Sequence, residues 1–290
     1  MINYFRVSFI IEWYIIALNA NSPEEADMTE IEEPKTEKKL WGAWATVGLG
    51  LAVFVVSLVT ETMVVMVFTF TKLLSYLQSS PDPLQFEELM NAIETILATQ
   101  VGLITALAAC ASAVICVGLI VLFARIRKGV SIAEYLGLKR ITVKQILAVL
   151  AIMAGFIILS DGLGLLLDRP IFSEFVVTIY STSVWPALLW VALIIFVPIY
   201  EETFFRGFLF EGFRQSRLGP IGAVGLTSLV WALLHIQYDF FSMVIIFILG
   251  ILFGVVRIKT GSLWSTLIMH AFTNMVALLQ VALHFEELIG

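Results

Sequence analysis

Long apolar stretches recur along the chain from Trp41 onward, and they restrict its possible folds more than any other feature. By the criterion of roughly twenty apolar residues for one bilayer crossing, these stretches fall at about residues 42–70, 93–124, 145–167, 184–214, 220–236, 240–256 and 262–283. In a bilayer the backbone polar groups of such a stretch must be hydrogen-bonded within it, which predicts a helix for each. A content of 60% hydrophobic and 14% charged residues excludes a soluble domain. We therefore predict an all-α, polytopic transmembrane helical bundle of about seven spans.

The segment before the first span has a different character. Residues 1–20 form a short apolar run interrupted by Glu12, and residues 21–39 are rich in Glu and Lys and contain Pro23 and Pro34. Too little apolar surface is present to drive folding, so residues 1–40 are predicted to be a weakly apolar run followed by a disordered acidic tail. Met28 is an alternative start. Residues 41–175 are predicted to form the N-terminal transmembrane helices.

Basic residues mark alternate loops between the predicted spans. After the tail they are Arg125, Arg127, Lys128, Lys139, Arg140, Lys144, Arg214, Arg217, Arg257 and Lys259. Lys and Arg concentrate on the cytoplasmic side of membrane proteins, which predicts a cytoplasmic N-terminus and an external C-terminus. We expect an integral protein of the cell (inner) membrane with the lipid bilayer as its partner. No basic stripe suggests nucleic acid, so no nucleic-acid partner is predicted.

The stretch from Pro198 to Gly207 places ionisable groups inside an apolar span. Such groups cost several kcal/mol in a bilayer and are by default functional. On a helix, Glu202 and Arg206 lie about 40° apart around the axis, whereas Glu201 and Arg206 lie about 140° apart. Arg206 should therefore pair with Glu202 and leave Glu201 available as a general base. The alternative is a structural charge cluster at the cytoplasmic end. Pro198 predicts a kink.

Further polar residues interrupt other spans. His270 and Asn274 share one helix face and form a donor pair suited to an oxyanion. Counted from the cytoplasmic ends at ~1.5 Å per residue, Glu201, His235, His270 and Asn274 lie ~20, ~24, ~14 and ~20 Å deep. The alternatives are an interfacial His235 and a purely interhelical role for His270 and Asn274. Glu61 and Asp161 are interpreted as structural.

Three short motifs resemble those of one known family. The run from Glu201 to Arg206 resembles EExxxR, the run from Trp231 to His235 resembles FxxxH with Trp in place of Phe, and the run from His270 to Asn274 resembles HxxxN. Together they are similar to the type II CAAX prenyl endopeptidases and their bacterial relatives, the CPBP or Abi family of intramembrane proteases. The resemblance covers about residues 184–283, and it makes residues 176–290 the expected catalytic transmembrane core.

The resemblance implies a glutamate-dependent endopeptidase without cofactor. In this family the residues corresponding to Glu201 and His235 activate a water, and those corresponding to His270 and Asn274 hold the oxyanion. Glu202 and Arg206 complete the expected site. The substrate class would be membrane-associated polypeptides of CAAX-like or bacteriocin-leader type, some of them lipidated.

Two other classes of function stay open on the sequence alone. A proton-coupled transporter also places Glu and His inside the membrane. A non-enzymatic immunity or scaffold protein would use the same polar groups only to fix helix packing. Within the enzyme class, Glu201, His235 and His270 are ligand types of catalytic zinc, but no HExxH pair is present. A metal-free site is therefore predicted.

Overall fold

The computed structural model of the protein describes residues 40–80, 85–127 and 129–285. We number its helices in chain order as α1 Ala43–Ser79, α2 Phe86–Ile126, α3 Ile132–Leu136, α4 Val143–Leu166, α5 Glu174–Ser181, α6 Pro186–Arg214, α7 Gly219–Leu233, α8 Phe240–Thr260 and α9 Leu263–Leu283. The described part contains no strand. The predicted all-α class is confirmed. The predicted acidic tail lies outside the described residues.

Six helices are long and apolar enough to cross a membrane, namely α1, α2, α4, α6, α8 and α9. Helix α7, the predicted fifth span, has 15 residues, which gives it a length of only ~22 Å. Apolar side chains of the bundle point outward, and only 11% of the most apolar window of α1 and of α4 is buried inside the protein. Such a surface requires a lipid environment, so this is an integral membrane protein.

Helix α6 lies at the centre of the bundle and contacts α1, α2, α7 and α9. It carries two π-helical segments, Ala192–Phe196 and Thr203–Leu209. The first precedes Pro198, which has no N–H to donate and whose ring would clash with a carbonyl one turn earlier. The predicted disturbance of the helix at Pro198 therefore takes the form of a π segment.

The main apolar core surrounds the second half of α6. Phe204, Phe205 and Phe208 of this helix are buried against α7, α8 and α9, where Trp231, Phe253 and Leu263 are buried as well. Lipid tails are as apolar as these side chains, so close van der Waals packing and not removal from water holds them together. This packing fixes the position of the ionisable residues that α6 carries between its aromatic side chains.

Candidate functional site

Glu202 is the centre of a buried polar cluster. Its side chain and that of Arg206 are 0% and 1% exposed, and Arg206 Nη1 donates to Glu202 Oε1 over 3.0 Å. The predicted pairing of these two residues is confirmed. His270 Nδ1 approaches the same oxygen to 3.0 Å, and because a carboxylate only accepts, Nδ1 carries the proton in this bond. One carboxylate thus joins α6 to α9.

The guanidinium of Arg206 is enclosed by aromatic rings and backbone. It lies 4.4 Å from the ring centre of Trp231 and 5.3 Å from that of Phe253, and Nη2 donates to the Gly250 carbonyl oxygen over 3.4 Å. A methyl group at Gly250 would come within 2.9 Å of Ser228 Cβ, so glycine permits the close approach of α7 and α8 here. Cation–π contacts and the Glu202 carboxylate compensate the buried charge.

Trp231 links the groups that the sequence pointed to. Its indole N–H donates to Glu201 Oε2, and its backbone carbonyl oxygen lies 2.7 Å from His235 Nδ1. The ring centre is 5.1 Å from that of His235 and 5.6 Å from that of His270. Sequence reasoning treated Trp231 only as an aromatic replacement for Phe. The signal that could have identified its role is the indole N–H, a donor that Phe lacks.

His235 lies outside the helix in which it was predicted. Residues 220–236 were expected to form one span, but α7 ends at Leu233 and Leu234 is its C-cap. The chain turns at His235, whose backbone N–H donates to the Ala232 carbonyl. Asp239 then caps the next helix by accepting bonds from the N–H groups of Phe241 and Ser242. The predicted span reached residue 236 because the sequence stays apolar that far. The turn at His235 and the cap at Asp239 end α7 at Leu233 instead.

Asn274 is bound to the backbone of α6. Its Nδ2 donates to the Leu193 carbonyl oxygen over 2.7 Å. That oxygen has lost its helical partner, because the Val197 N–H bonds instead to Ala192 and Pro198 has no N–H. His270 and Asn274 therefore contact two different partners in α6. Their joint role at one oxyanion stays a prediction.

A cavity of about 480 Å³ lies beside these residues. Trp231, His235, His270 and Asn274 form part of its wall, and the rest comes from α4, α5, α8, α9 and the loops at one end of the bundle. Glu201 is not among the residues that line this cavity, but it accepts a hydrogen bond from Trp231, which is. The volume is in the range of ligand sites and suffices for several residues of an extended peptide.

The cavity wall also contains polar residues that the sequence did not assign. Gln280 Nε2 donates to Asp161 Oδ2 over 2.9 Å, which supplies the partner that Asp161 lacked in the sequence. Tyr238, in the loop after α7, has its pKa raised to about 12 by burial and, less strongly, by the negative charge of Glu201. Glu61 accepts hydrogen bonds from Ser57 and Ser112 at 2.8 and 3.3 Å, which agrees with a structural interpretation.

A second buried ion cluster lies at the other end of α6 and was not foreseen. Arg257 Nη2 donates to Glu211 Oε1 over 2.7 Å, and Arg214 Nε to Glu211 Oε2 over 2.5 Å. A methyl group at Gly137, where φ is 69°, would meet the Arg257 guanidinium at 2.0 Å. A charge cluster at the end of α6 does exist, but it consists of Glu211, Arg214 and Arg257. Glu202 and Arg206 form a separate buried pair within the helix.

No group of three or more His, Cys, Asp and Glu residues in the described ranges is arranged to hold a metal ion. His235 and His270 each bond through Nδ1 and so have Nε2 available. That nitrogen can serve as a base or as a ligand. The metal-free mechanism stays a prediction.

Comparison with known proteins identifies the segment that carries the site. The chain is 27% identical over 137 residues to an uncharacterized 24.3 kDa protein of Escherichia coli, a match that covers 46% of this chain and 60% of that protein. No solved structure matches the chain. The family model of type II CAAX prenyl endopeptidases, Rce1-like, matches residues 183–276 and includes all three motifs. Residues 183–276 of this chain are therefore similar to the Rce1-like type II CAAX prenyl endopeptidases.

Proposed function

We propose that this protein is an intramembrane endopeptidase that hydrolyses peptide bonds of membrane-associated polypeptides. The observation that supports this best is the arrangement around Trp231, which lines one cavity together with His235 and His270 and donates a hydrogen bond to Glu201. A carboxylate and two imidazoles held close to a water-accessible space are the groups that acid–base hydrolysis needs. The family match over residues 183–276 supports the same reaction class.

Glu201 is the proposed general base, and His235 the group that orients the attacking water. His235 faces the Trp231 carbonyl oxygen with Nδ1, which must carry the proton, so Nε2 of the neutral ring accepts a hydrogen bond from water. A proton of that water passes to Glu201 while the oxygen bonds to the carbonyl carbon of the substrate. Collapse of the tetrahedral intermediate breaks the C–N bond, and the proton is delivered to the leaving amine.

His270 and Asn274 are the proposed partners of the oxyanion. Asn274 uses one amide hydrogen on Leu193 and retains the second. His270 holds a proton on Nδ1 toward Glu202, so donation from Nε2 to the oxyanion requires a second proton on the ring. A donor of this kind contributes ~10²–10³ in rate. The proposed substrates are CAAX-like or leader-type polypeptides, and the membrane anchor of such a substrate would keep it beside the cavity.

The reaction is tested by comparing protein termini in membranes from cells with and without the gene. A new terminus that depends on the gene should be reproduced when the purified protein in lipid nanodiscs is mixed with that substrate. Glu201→Gln should abolish the cut. Glu94→Gln, which changes an exposed glutamate of α2, is the matched control and should leave it unchanged. Identical termini in cells carrying wild type and Glu201→Gln would contradict the proposal.

We also predict that cutting continues when metals are chelated. The buried guanidinium of Arg206 is separated from His270 only by the shared oxygen of Glu202. A divalent cation bound at His270 would lie close to this positive charge in a medium of low dielectric constant, which is unfavourable. Turnover should be measured after exhaustive dialysis against chelator and after adding zinc back. Loss of activity that zinc restores would overturn the metal-free mechanism.

A further inference from the structure

We propose that Asp161 is a specificity-determining residue of the cavity, and that the enzyme selects polypeptides with a lysine or arginine roughly two to four residues from the bond that is cut. The cleavage rests on the proposed function, whereas the recognition of a cationic side chain rests on the wall of the cavity. Sequence reasoning interpreted Asp161 as structural, but its surroundings are those of a binding residue.

Asp161 faces the cavity from within a membrane-crossing helix. It is half-buried, it is the only acidic residue of α4, and it lines the cavity together with Ser160 and Gly164 of the same helix. A methyl group at Gly164, one turn further on, would meet no neighbouring atom within 4 Å, so the space beside the carboxylate is open. Ionisable groups at membrane depth that face a water-filled cavity mark substrate pathways.

Gln280 of α9 orients the Asp161 carboxylate. Its Nε2 donates to Asp161 Oδ2 over 2.9 Å. Within the described ranges, Asp161 Oδ1 accepts no hydrogen bond from another residue. A carboxylate with one oxygen fixed and the other open can accept a charge-assisted hydrogen bond from the ammonium group of lysine or the guanidinium of arginine.

The other charged side chains of the wall are engaged with one another or lie at its edge. Among the described residues of the wall, Arg169 is the only Lys or Arg, and its guanidinium lies 5.9 Å from the ring centre of Phe241 and close to Asp239. Asp239 is also the N-cap of α8, and Glu174 is exposed. No cation of the described residues pairs with Asp161, so its field attracts a cationic side chain of the substrate.

Helix α9 sets the distance between Asp161 and the reacting bond. Asn274 and Gln280 both line the cavity, and Gln280 comes six residues later in the same helix, which corresponds to ~9 Å along the axis. An extended peptide advances ~3.3 Å per residue. A chain with its reacting carbonyl at the proposed oxyanion site therefore brings a residue about two to four positions away beside Asp161. Asp161 and Gln280 lie outside residues 183–276, so this recognition is additional to the three motifs.

Peptide binding to the full-length Glu201→Gln protein in nanodiscs of zwitterionic lipid tests this recognition without cleavage. The probes are fluorescent, N-palmitoylated decapeptides of Ala, Leu and Ser. Each position in turn carries either lysine or norleucine, which keeps the apolar stem and has no charge. At the best position lysine should lower Kd ~10–100-fold relative to norleucine, because only lysine makes a hydrogen bond between charged groups. Equal Kd values at every position would overturn the inference.

Two variants assign the preference to Asp161. Asp161→Asn keeps the shape of the side chain and can still accept from Gln280, so Kd for the norleucine peptide should not change while the lysine preference disappears. Asp168→Asn is the matched control, because Asp168 is exposed just after α4 and does not line the cavity, and it should retain the full preference. Ala277→Lys, one turn before Gln280 on the same wall, supplies an internal cation and should also remove the preference. A lysine preference that persists in Asp161→Asn would overturn the inference.

The gene-dependent cuts found in membranes separate this inference from the proposed reaction. Those cuts should lie within about four residues of a lysine or arginine. Cuts without a basic residue nearby would refute the role of Asp161 and leave the enzyme standing. Binding of the lysine peptides that depends on Asp161, in the absence of any cutting by the wild-type protein, would refute the hydrolysis and leave the recognition standing.

Discussion

At the scale of single residues, we predict that the adjacent glutamates have separate tasks. Glu202 is fully buried with Arg206, so Glu202→Gln leaves a buried guanidinium without its counter-ion and should lower the free energy of unfolding by about 3–5 kcal/mol. Glu201 contacts only partly buried space, so Glu201→Gln should unfold at nearly the wild-type temperature while turnover falls ~10²–10⁴-fold. Thermal unfolding in detergent and turnover should be measured on the same preparations. If the Glu202→Gln variant is stable but inactive and the Glu201→Gln variant stays active, Glu202 is the general base and Glu201 is not.

We predict that Trp231 is a positioning residue for Glu201, because its indole N–H donates to the Glu201 carboxylate. Trp231→Phe keeps a ring over Arg206 and removes only that donor. A hydrogen bond to a charged group contributes about 1.5–3 kcal/mol, so kcat should fall by at least about 10-fold while KM changes little. Trp264→Phe, at a side chain that is 46% exposed, is the control and should retain full turnover. Equal kcat for Trp231→Phe and wild type would remove the indole N–H from the mechanism.

Residue-level prediction from the sequence succeeded where the contact is local. Glu202 and Arg206 are four positions apart, and helix geometry alone brings them together. The bonds from Trp231 to Glu201 and from His270 to Glu202 join residues 30 and 68 positions apart. Such contacts depend on the packing of α7 and α9 against α6, which no spacing rule contains.

At the scale of helices, the π segment before Pro198 explains why Asn274 is bound to α6. Asn274→Ala should leave the Leu193 carbonyl unpaired and lower the free energy of unfolding by about 1–3 kcal/mol. Pro198→Ala supplies an N–H that can take over this carbonyl. The double variant should therefore regain stability relative to Asn274→Ala, while turnover should stay low because the proposed oxyanion donor is still missing. The free energy of unfolding and the turnover should be measured for Asn274→Ala, Pro198→Ala and the double variant. If the double variant gains no stability, the bond of Asn274 does not compensate for the carbonyl that the π segment leaves unpaired.

Helix boundaries were the weaker part of the sequence prediction. Hydropathy located all the long spans, but α1 and α2 extend past the expected residues 70 and 93 to Ser79 and Phe86. Gln85 and Glu88 form a capping box that starts α2 well outside the apolar stretch. A helix can continue through polar residues outside the lipid. An apolar stretch therefore predicts the part of a helix that lies in the membrane, but not the residue at which the helix ends.

At the scale of the whole molecule, the two ends of the bundle differ in a way that the basic loops only partly indicated. The alternating charges predicted an orientation, but the packing of the end with the basic loops depends on buried contacts. Gly137 and Arg257 are distant in sequence and meet because α3 packs against the second π segment of α6 and the Leu263 N–H bonds to the Gly137 carbonyl. The burial of Glu211 with two arginines could not be inferred from the sequence, in which Arg214 and Arg257 were assigned to loops.

The ion cluster at this end should contribute stability and not chemistry, and this can be measured. Arg257→Ala leaves Glu211 with only the half-exposed Arg214 and should lower the free energy of unfolding by about 3–5 kcal/mol. Replacing both partners in Arg257→Met/Glu211→Leu removes the stranded charge, so this double variant should be more stable than Arg257→Ala. Turnover per folded molecule should stay at the wild-type level in both, because the ion pair lies at the far end of α6 from the cavity. A stable Arg257→Ala protein that no longer turns over would place this cluster in the catalytic machinery.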